Sequence, residues 1–453
     1  MHTTLTSSPA AALRACGFAG RIVEPADAGY DTARTGWNGA VDRRPSAVAY
    51  AADAEDVAAA IRANLPFTVR AGGHSVSGRS IRDGAVCIDL RALSQVEVDA
   101  ERRIVRVGGG ALLAEMDTAT QAHGLAVPGG QISHTGVGGL TLGGGLGWLM
   151  RHHGLTIDSL EAAEVVVADG TLVRASEAEH ADLFWALRGG GGDFGVVTAF
   201  EFRAHRVGPT VLGGMLVYPW ERAAEALRRS RAVMENAPPE LTTFVALVTA
   251  PPQAPFPPAL HGRRAAVIAV AWSGEVAEGE RVVAPLRADP AVDLVGPMPY
   301  VALQSMLDQT APHGWRFYDR QHYLDEVGDD FVEALLAGFE RAPTPETHVM
   351  TAWLGGAVDR VPAGASAFGH RSARALTWFI GCSGDRPVGP AAEWVRGVWE
   401  DTARFATGGV YVNALNAERP VRDAYADAVW DRLVAVKRRY DPHGVFSGNG
   451  IRS

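Results

Sequence analysis

GGQISHTGVGGLTLGGGLGW, residues 129–148, is the stretch on which the reading of this chain turns. Nine glycines fall between Gly129 and Gly147. A turn requires one or two. So many mark a long run of backbone pressed against something that leaves no room for side chains, and a large extended cofactor is the natural occupant. The run has no three-residue period, and β-branched and aromatic residues interrupt it. It is therefore neither collagen-like nor a flexible linker.

The glycine excess extends to both sides. Of 52 glycines, 24 lie between Ala71 and Gly195, and the other 28 are spread over the remaining 328 residues. Elements punctuate this dense region. Helical spacing is read at 54–65, 111–123 and 180–187, and short strands at 67–70, 86–90 and 104–107. Asp169-Gly170 between 164–167 and 171–174 is a hairpin signal. Residues 196–203 alternate as a half-buried strand. After about residue 206 the texture changes. Strand-like runs at 242–249, 265–272, 348–354 and 375–380 alternate with helical stretches near 221–236, 330–341 and 390–405. That pattern suits a sheet with helices on one face, a second domain. The tail from 410 reads as a strand and a helix of its own.

Charge and rare residues exclude whole classes of function. The formal net charge is −9 and no basic run occurs, so nucleic acid is a poor partner. Lys437 is the one lysine among 42 basic residues. It removes a P-loop, which needs Gly-Lys, and a kinase, which needs an early strand lysine. It sits beside an apolar stripe of Val429, Leu433, Val436 and Tyr440 and reads as a solvated surface lysine. Cys16, Cys87 and Cys382 are odd in number and widely spaced. Free thiols, no metal site and a reducing compartment are expected. With no signal-peptide pattern and no eighteen-residue apolar run, a soluble cytoplasmic protein that binds no membrane is the default expectation.

Two glycine motifs bear directly on chemistry. Gly190, Gly192 and Gly195 spell GxGxxG, but a helix precedes them and a strand follows, the reverse of a dinucleotide fold. Arg70-Ala71-Gly72-Gly73-His74-Ser75 follows a strand directly. Its glycines, arginine and free N–H groups suit a pyrophosphate, and His74 can reach the same ligand. A turn with a hydrogen-bonded histidine fits those six residues equally well.

Taken together, these segments resemble the berberine-bridge-enzyme-like branch of the vanillyl-alcohol oxidase (PCMH-type FAD-binding) superfamily. The resemblance runs through Trp37-Asn38, Asp42-Arg43-Arg44-Pro45, RAGGHS at 70–75, Ile88-Asp89-Leu90 and the long glycine run. It continues through 155–160, Phe184-Trp185-Ala186-Leu187-Arg188 leading into GGGGDFGVVT, Tyr411-Val412-Asn413, 437–442 and Asn449. It implies an α+β protein with a two-part FAD-binding domain over 1–206. A substrate domain of antiparallel sheet covered by helices would follow over 207–407. A C-terminal segment, 408–453, would return to the first domain. His74 matches the histidine that bonds the flavin 8α carbon. Arg70, Gly72, Gly73, Ser75 and Gly78 would wrap the pyrophosphate. Ser133, His134, Gly136, Gly139 and Gly143 would line the cofactor, with Val197 near the adenosine end and Asn413 and Asn449 reaching back from the tail.

Departures from the family pattern sharpen the expectation. Ile132 stands where many relatives carry a second flavin-bonding cysteine, so the resemblance implies FAD attached once, through His74. Thr135 occupies the position that governs oxygen access. The Ser-His-Thr-Gly version resembles a bacterial polyketide-tailoring subgroup that includes the enterocin-pathway flavoenzyme, some of whose members oxygenate through a flavin N5-oxide. Ala414 replaces the tyrosine that serves relatives as base after Tyr411-Val412-Asn413. Tyr411 remains, and Tyr318, His322 and His370 are substrate-side candidates, each with packing as the alternative role. The preferred reading is an FAD-linked oxidase or oxygenase of a polyketide or aromatic metabolite, with O₂ as final acceptor. The alternative is a secondary-alcohol or sugar oxidase or dehydrogenase. A flavin-retaining binding protein has only Ala414 and the lack of an obvious base in its favour. Monomer and homodimer both remain open.

Overall fold

The computed structural model describes residues 8–416 and 418–452. The helix Ala54–Arg62 begins where the Asp53 carboxylate accepts the Asp56 N–H at 2.9 Å, satisfying a free donor of the first turn. It links Ala47–Tyr50 to Phe67–Arg70, and both run parallel to Val86–Asp89, which lies between them. The edge strand Arg21–Val23 completes this four-stranded sheet. A five-stranded antiparallel sheet follows, in the order Val96–Asp99, Ile104–Gly108, Val196–Arg203, Leu160–Val166, Leu172–Ser176. The Asp169-Gly170 turn works as its residues suggest, with Gly170 at φ +82. Helices Leu113–Gln121 and Ala181–Leu187 bury Leu113, Met116, Leu183 and Phe184 against this sheet.

The third sheet is antiparallel and contains the four strand-like runs read from residues 242–380. Two further strands are present, Thr210–Pro219 inside the sheet and Phe317–Leu324 at its edge beside Ala375–Cys382. Neither carries a plain strand signal: the first holds Gly213-Gly214 and ends in proline, and the second interleaves charged residues with aromatic ones. Helices Ala223–Met234, Asp329–Phe339 and Gly389–Asp401 cover one face, where Leu227, Phe331 and Val395 meet Leu216, Ile268 and Phe379. The other face is also buried. Phe244, Tyr323 and Trp378 pack with Leu146 and Trp148, from the end of the glycine run, and with Tyr411. The fold class is thus α+β. No helix among the described residues is long and apolar enough to cross a membrane.

The tail departs from expectation in two ways. Among its described residues there is no strand, only short turns at Val412–Ala414 and Val421–Ala424 and the helix Asp427–Tyr440. Lys437 is not solvated but fully buried. Its ammonium donates to the Asp193 carbonyl at 2.7 Å, the Phe446 carbonyl at 2.7 Å and the Asp441 carboxylate at 2.5 Å. All three ammonium donors are satisfied, which is what makes a buried lysine tolerable. The apolar stripe of the helix packs on Leu183 and Phe194, and Lys437 lies on the edge of that contact rather than facing water.

Candidate functional site

One cavity of about 400 Å³ is lined from every part of the chain. Phe67, Gly72 and His74 come from the first sheet and its following loop, and Gln131, Thr135, Gly136, Gly139 and Leu146 from the glycine run. Gly191, Gly192 and Val197 come from the GGGGDFG segment, Asp319 and Trp378 from the third sheet, and Tyr411, Asn413 and Asn449 from the tail.

The glycines around it do two jobs. Most allow another part of the chain, backbone or side chain, to approach closely. A Cβ on Gly72 would lie 2.4 Å from the Gly136 nitrogen, and one on Gly136 would lie 2.3 Å from the Gly72 nitrogen. Gly138 is pressed on the Gly109 carbonyl and Gly147 on that of Gly129. Gly139 and Gly192 differ: both line the cavity, and a Cβ on either would meet no protein atom within 4 Å. The glycine run is therefore chiefly a device for packing loops on loops, with only part of it facing the cavity. Its 137–142 portion is a short helix rather than extended backbone.

Several expected contacts lie elsewhere. Arg70 does not face the cavity. Its guanidinium is buried against Asp89, with Nε at 2.8 Å, and donates to the carbonyls of Ala33 and Thr35. Four of its five N–H donors are engaged and it is absent from the lining, so it is not placed to hold a pyrophosphate. Arg79, which the motif reading overlooked, lines the cavity instead and donates to the Asn449 carbonyl at 2.7 Å. Gly78 faces Val41, and Gly143 faces the Asn413 amide. Ser133 turns to Asp308, donating from N at 2.8 Å and Oγ at 2.6 Å. His134 lies behind the lining, its ring 5.0 Å from that of His74. Gly72, Gly73, His74, Ser75, Thr135, Gly136, Gly139, Val197, Asn413 and Asn449 do line the cavity.

On the substrate side, Tyr318, His322 and His370 are placed away from the cavity. The Tyr318 hydroxyl donates to Glu418 at 2.7 Å. His322 bonds the Trp399 carbonyl at 2.8 Å, against the covering helix. His370 is buried on Tyr323, ring to ring at 4.6 Å. Strand parity explains the first two, since alternate residues point to opposite faces. Tyr318 and His322 point to the helices, and Asp319 between them points to the cavity.

Asp319 is the group that sequence reading missed. It is buried, its Oδ1 has no hydrogen-bond partner, and burial pushes its pKa up to about 7. Beside it stand Trp378 and Tyr411. The Tyr411 oxygen accepts from Gly145 N at 3.1 Å and Asn413 Nδ2 at 2.9 Å, and burial raises its pKa. Both lone pairs are engaged, so Tyr411 presents an O–H donor rather than a base. His74 is held neutral, its pKa lowered to about 3 by burial and by the neighbouring His134 and His313. Its Nε2 is buried without a partner, as is Nε2 of Gln131. A slot with one cation at Arg79, unpartnered nitrogens at His74 and Gln131 and two Cβ-free openings fits a long, flat, anionic cofactor.

The comparisons agree with that geometry. Residues 45–176 match the family model described as FAD binding domain. An FAD-linked oxidoreductase of Dictyostelium discoideum is 29% identical over 91% of this chain and 90% of its own length. A Physcomitrella patens BBE-like structure superposes at TM-score 0.88, with 21% identity over 99% of this chain and all of that one. The glucooligosaccharide oxidase of Acremonium strictum, described with a 6-S-cysteinyl, 8α-N1-histidyl FAD, superposes at 0.85 with 23% identity over 98% of each chain. The chain has the PCMH-type, berberine-bridge-enzyme-like fold. It is an FAD-linked oxidoreductase, and FAD is its cofactor.

Proposed function

We propose that the chain is an O₂-using oxidase of a polyketide or other aromatic specialised metabolite, with FAD attached once, through His74. Asp319 carries the reading: an unpaired carboxyl with a pKa near neutrality, in a cavity whose lining also includes Trp378, Tyr411, Val412, Ala414 and Ile132. Such a wall favours an aromatic substrate with one acidic proton. A sugar needs many directed hydrogen bonds, and the third sheet contributes only Asp319 and Trp378 to the lining.

When bound, FAD supplies a two-electron acceptor for the oxidised carbon. Asp319 takes the proton from the substrate hydroxyl or enol, the role that the tyrosine absent at Ala414 would otherwise fill. Tyr411 donates its O–H to the substrate oxygen or to the cofactor edge. Trp378 stacks the substrate and keeps water from the carboxyl. For attachment, the neutral His74 imidazole offers a free lone pair, and Ile132 offers no thiol for a second bond. Thr135 lines the cavity beside Gly136 and supports the oxygenating form of this reading.

Anaerobic mixing with a panel of phenolic and β-polyketone compounds tests the oxidase reading. The expected result is bleaching of the flavin by a member of the panel and recovery in air. Asp319→Asn should slow the bleaching about 10²-fold. A variant that reduces at the wild-type rate sinks the role of Asp319. ¹⁸O from ¹⁸O₂ in the product supports oxygenation, whereas H₂O₂ with a plain carbonyl product supports simple oxidation. Acid-precipitated protein should stay yellow, and His74→Ala should lose its colour to the supernatant.

A further inference from the structure

His74 is one end of a chain of rings that leads out of the protein. Trp37 stacks on it at 4.1 Å and 14°, and Phe317 stacks on Trp37 at 4.3 Å, so one side of the imidazole is closed by carbon. On another side His134 lies 5.0 Å away, ring centre to ring centre, and His313 lies 4.8 Å beyond it. His313 is exposed. Nε2 of His74 and Nδ1 of His134 are both buried and both lack a hydrogen-bond partner. The charged and titratable neighbours of His134 are His74, His313 and Asp308. Asp308 comes from the short turn Asp308–Thr310, ahead of the strand Phe317–Leu324, and clamps the loop through both hydrogen bonds from Ser133.

We propose that His134 accepts the proton His74 must release when the flavin is attached, and that His313 passes it to solvent. The chain would thereby catalyse its own cofactor attachment, with Asp308 as the residue that positions the relay. This inference rests on the covalent reading above. In the attachment, a nitrogen of His74 forms a bond to the 8α carbon, which loses one proton. The imidazole loses a second proton, the one relayed outward. The electron pair of the broken C–H bond ends on the flavin. The flavin takes up two protons as it becomes reduced, and O₂ then removes two electrons and two protons to give H₂O₂. Neutral His74 is a competent nucleophile, but after bonding it is an imidazolium in a site that strongly disfavours charge, so the proton needs an exit. Trp37 and Phe317 provide none, and His134 does.

The test uses full-length protein made under riboflavin limitation and then supplied with FAD. Flavin that stays with acid-precipitated polypeptide is followed over time. Wild type should become acid-stable, and His74→Ala never. His134→Gln should bind FAD non-covalently with unchanged affinity but attach it at least about 10-fold more slowly, with a flattened dependence of rate on pH. His134→Gly should be restored by added imidazole. Attachment by His134→Gln at the wild-type rate overturns the relay while leaving the covalent reading intact. A slow variant with the wild-type pH profile and no imidazole rescue also overturns it, since His134 then merely shapes the loop. Release of flavin by wild-type protein overturns the covalent reading itself, and the relay with it.

Discussion

Asp319 lies between two residues that the sequence made more conspicuous. Tyr318 and His322 have the side chains of acid–base catalysts, but a strand alternates, and their parity directs them to the covering helices. The visible signal was the alternation in Phe317, Asp319, Gln321 and Tyr323 against Tyr318, Arg320 and His322. It was obscured because the charged residues broke the hydrophobic pattern by which the strand would have been recognised. The raised pKa of Asp319 has two consequences that can be measured separately. As a base it works when ionised, so flavin reduction should increase as pH rises through about 7. For stability the sign is opposite. A carboxyl with a folded pKa above its unfolded value of about 3.9 stabilises fully only below that value, and the contribution is lost as pH rises to the folded pKa. Asp319→Asn should therefore melt higher than wild type, by a margin that grows from about pH 4 to about pH 7 and is level above it. Its flavin reduction should lose the rise near pH 7. A constant difference in melting temperature across that range would show that the carboxyl is not held protonated.

The glycine run and the histidines that follow it show how elements, rather than single residues, were readable. That a long glycine-rich segment borders a cofactor cavity was legible, although most of its glycines serve close packing against the rest of the chain. Which glycines face the cavity was not, because the loops that press on them, 71–73, 109 and the tail, are far away in the chain. The structure separates the two kinds, and a pair of variants should show it. Gly72→Ala sets a methyl against the Gly136 backbone, with no flexible atom to yield, and should cost folding yield or at least about 1–3 kcal/mol. Gly139→Ala meets no protein atom, so it should fold as wild type yet bind FAD more weakly. Equal melting temperatures for the two apoproteins would refute the division. Just beyond the run, His152 stacks on His153 at 3.9 Å, and His153 stacks on His205 at 4.1 Å. Ser273, Glu240 and Ser159 face the stack, and Arg103, Arg203 and Arg360 lie nearby. Burial, then like charge, lowers His153 to about 3 and His205 to about 4. For a lowered histidine, stability is complete above the unfolded value of about 6.5 and declines as pH falls toward the folded one. His153→Phe, which keeps a ring in the stack, should lose less melting temperature than wild type between pH 7 and pH 5.

Much of the sheets and the covering helices follows from patterns that a sequence displays openly, period-2 and period-3.6 alternation. The closure of the cavity does not, because it depends on the tail. Lys437 stood out as the one lysine, yet its neighbours in the chain suggested solvent. Its three acceptors come from Asp193, Asp441 and Phe446, and only the folded chain brings them together. Asp441 in turn accepts the N–H groups of Val445 and Phe446 at 2.7 and 2.8 Å, and Asp193 accepts those of Asn449 and Gly450 at 2.8 and 3.1 Å. The ammonium thus joins the helix, the GGGGDFG segment and the last turn of chain that walls the cavity at Phe446 and Asn449. Lys437→Met keeps most of the side-chain volume but leaves a carboxylate and two carbonyls buried without their donor. Breaking one partner out of a buried pair costs about 3–5 kcal/mol. The loss should fall on the tail first, because the rest of the helix is held by Leu433 and Val436 in the main core. Limited proteolysis should then cut the variant within 441–452 under conditions that leave wild type whole, and added FAD should slow the cut by favouring the closed tail. A variant whose tail resists protease as well as wild type would mean that the apolar contacts alone close the cavity.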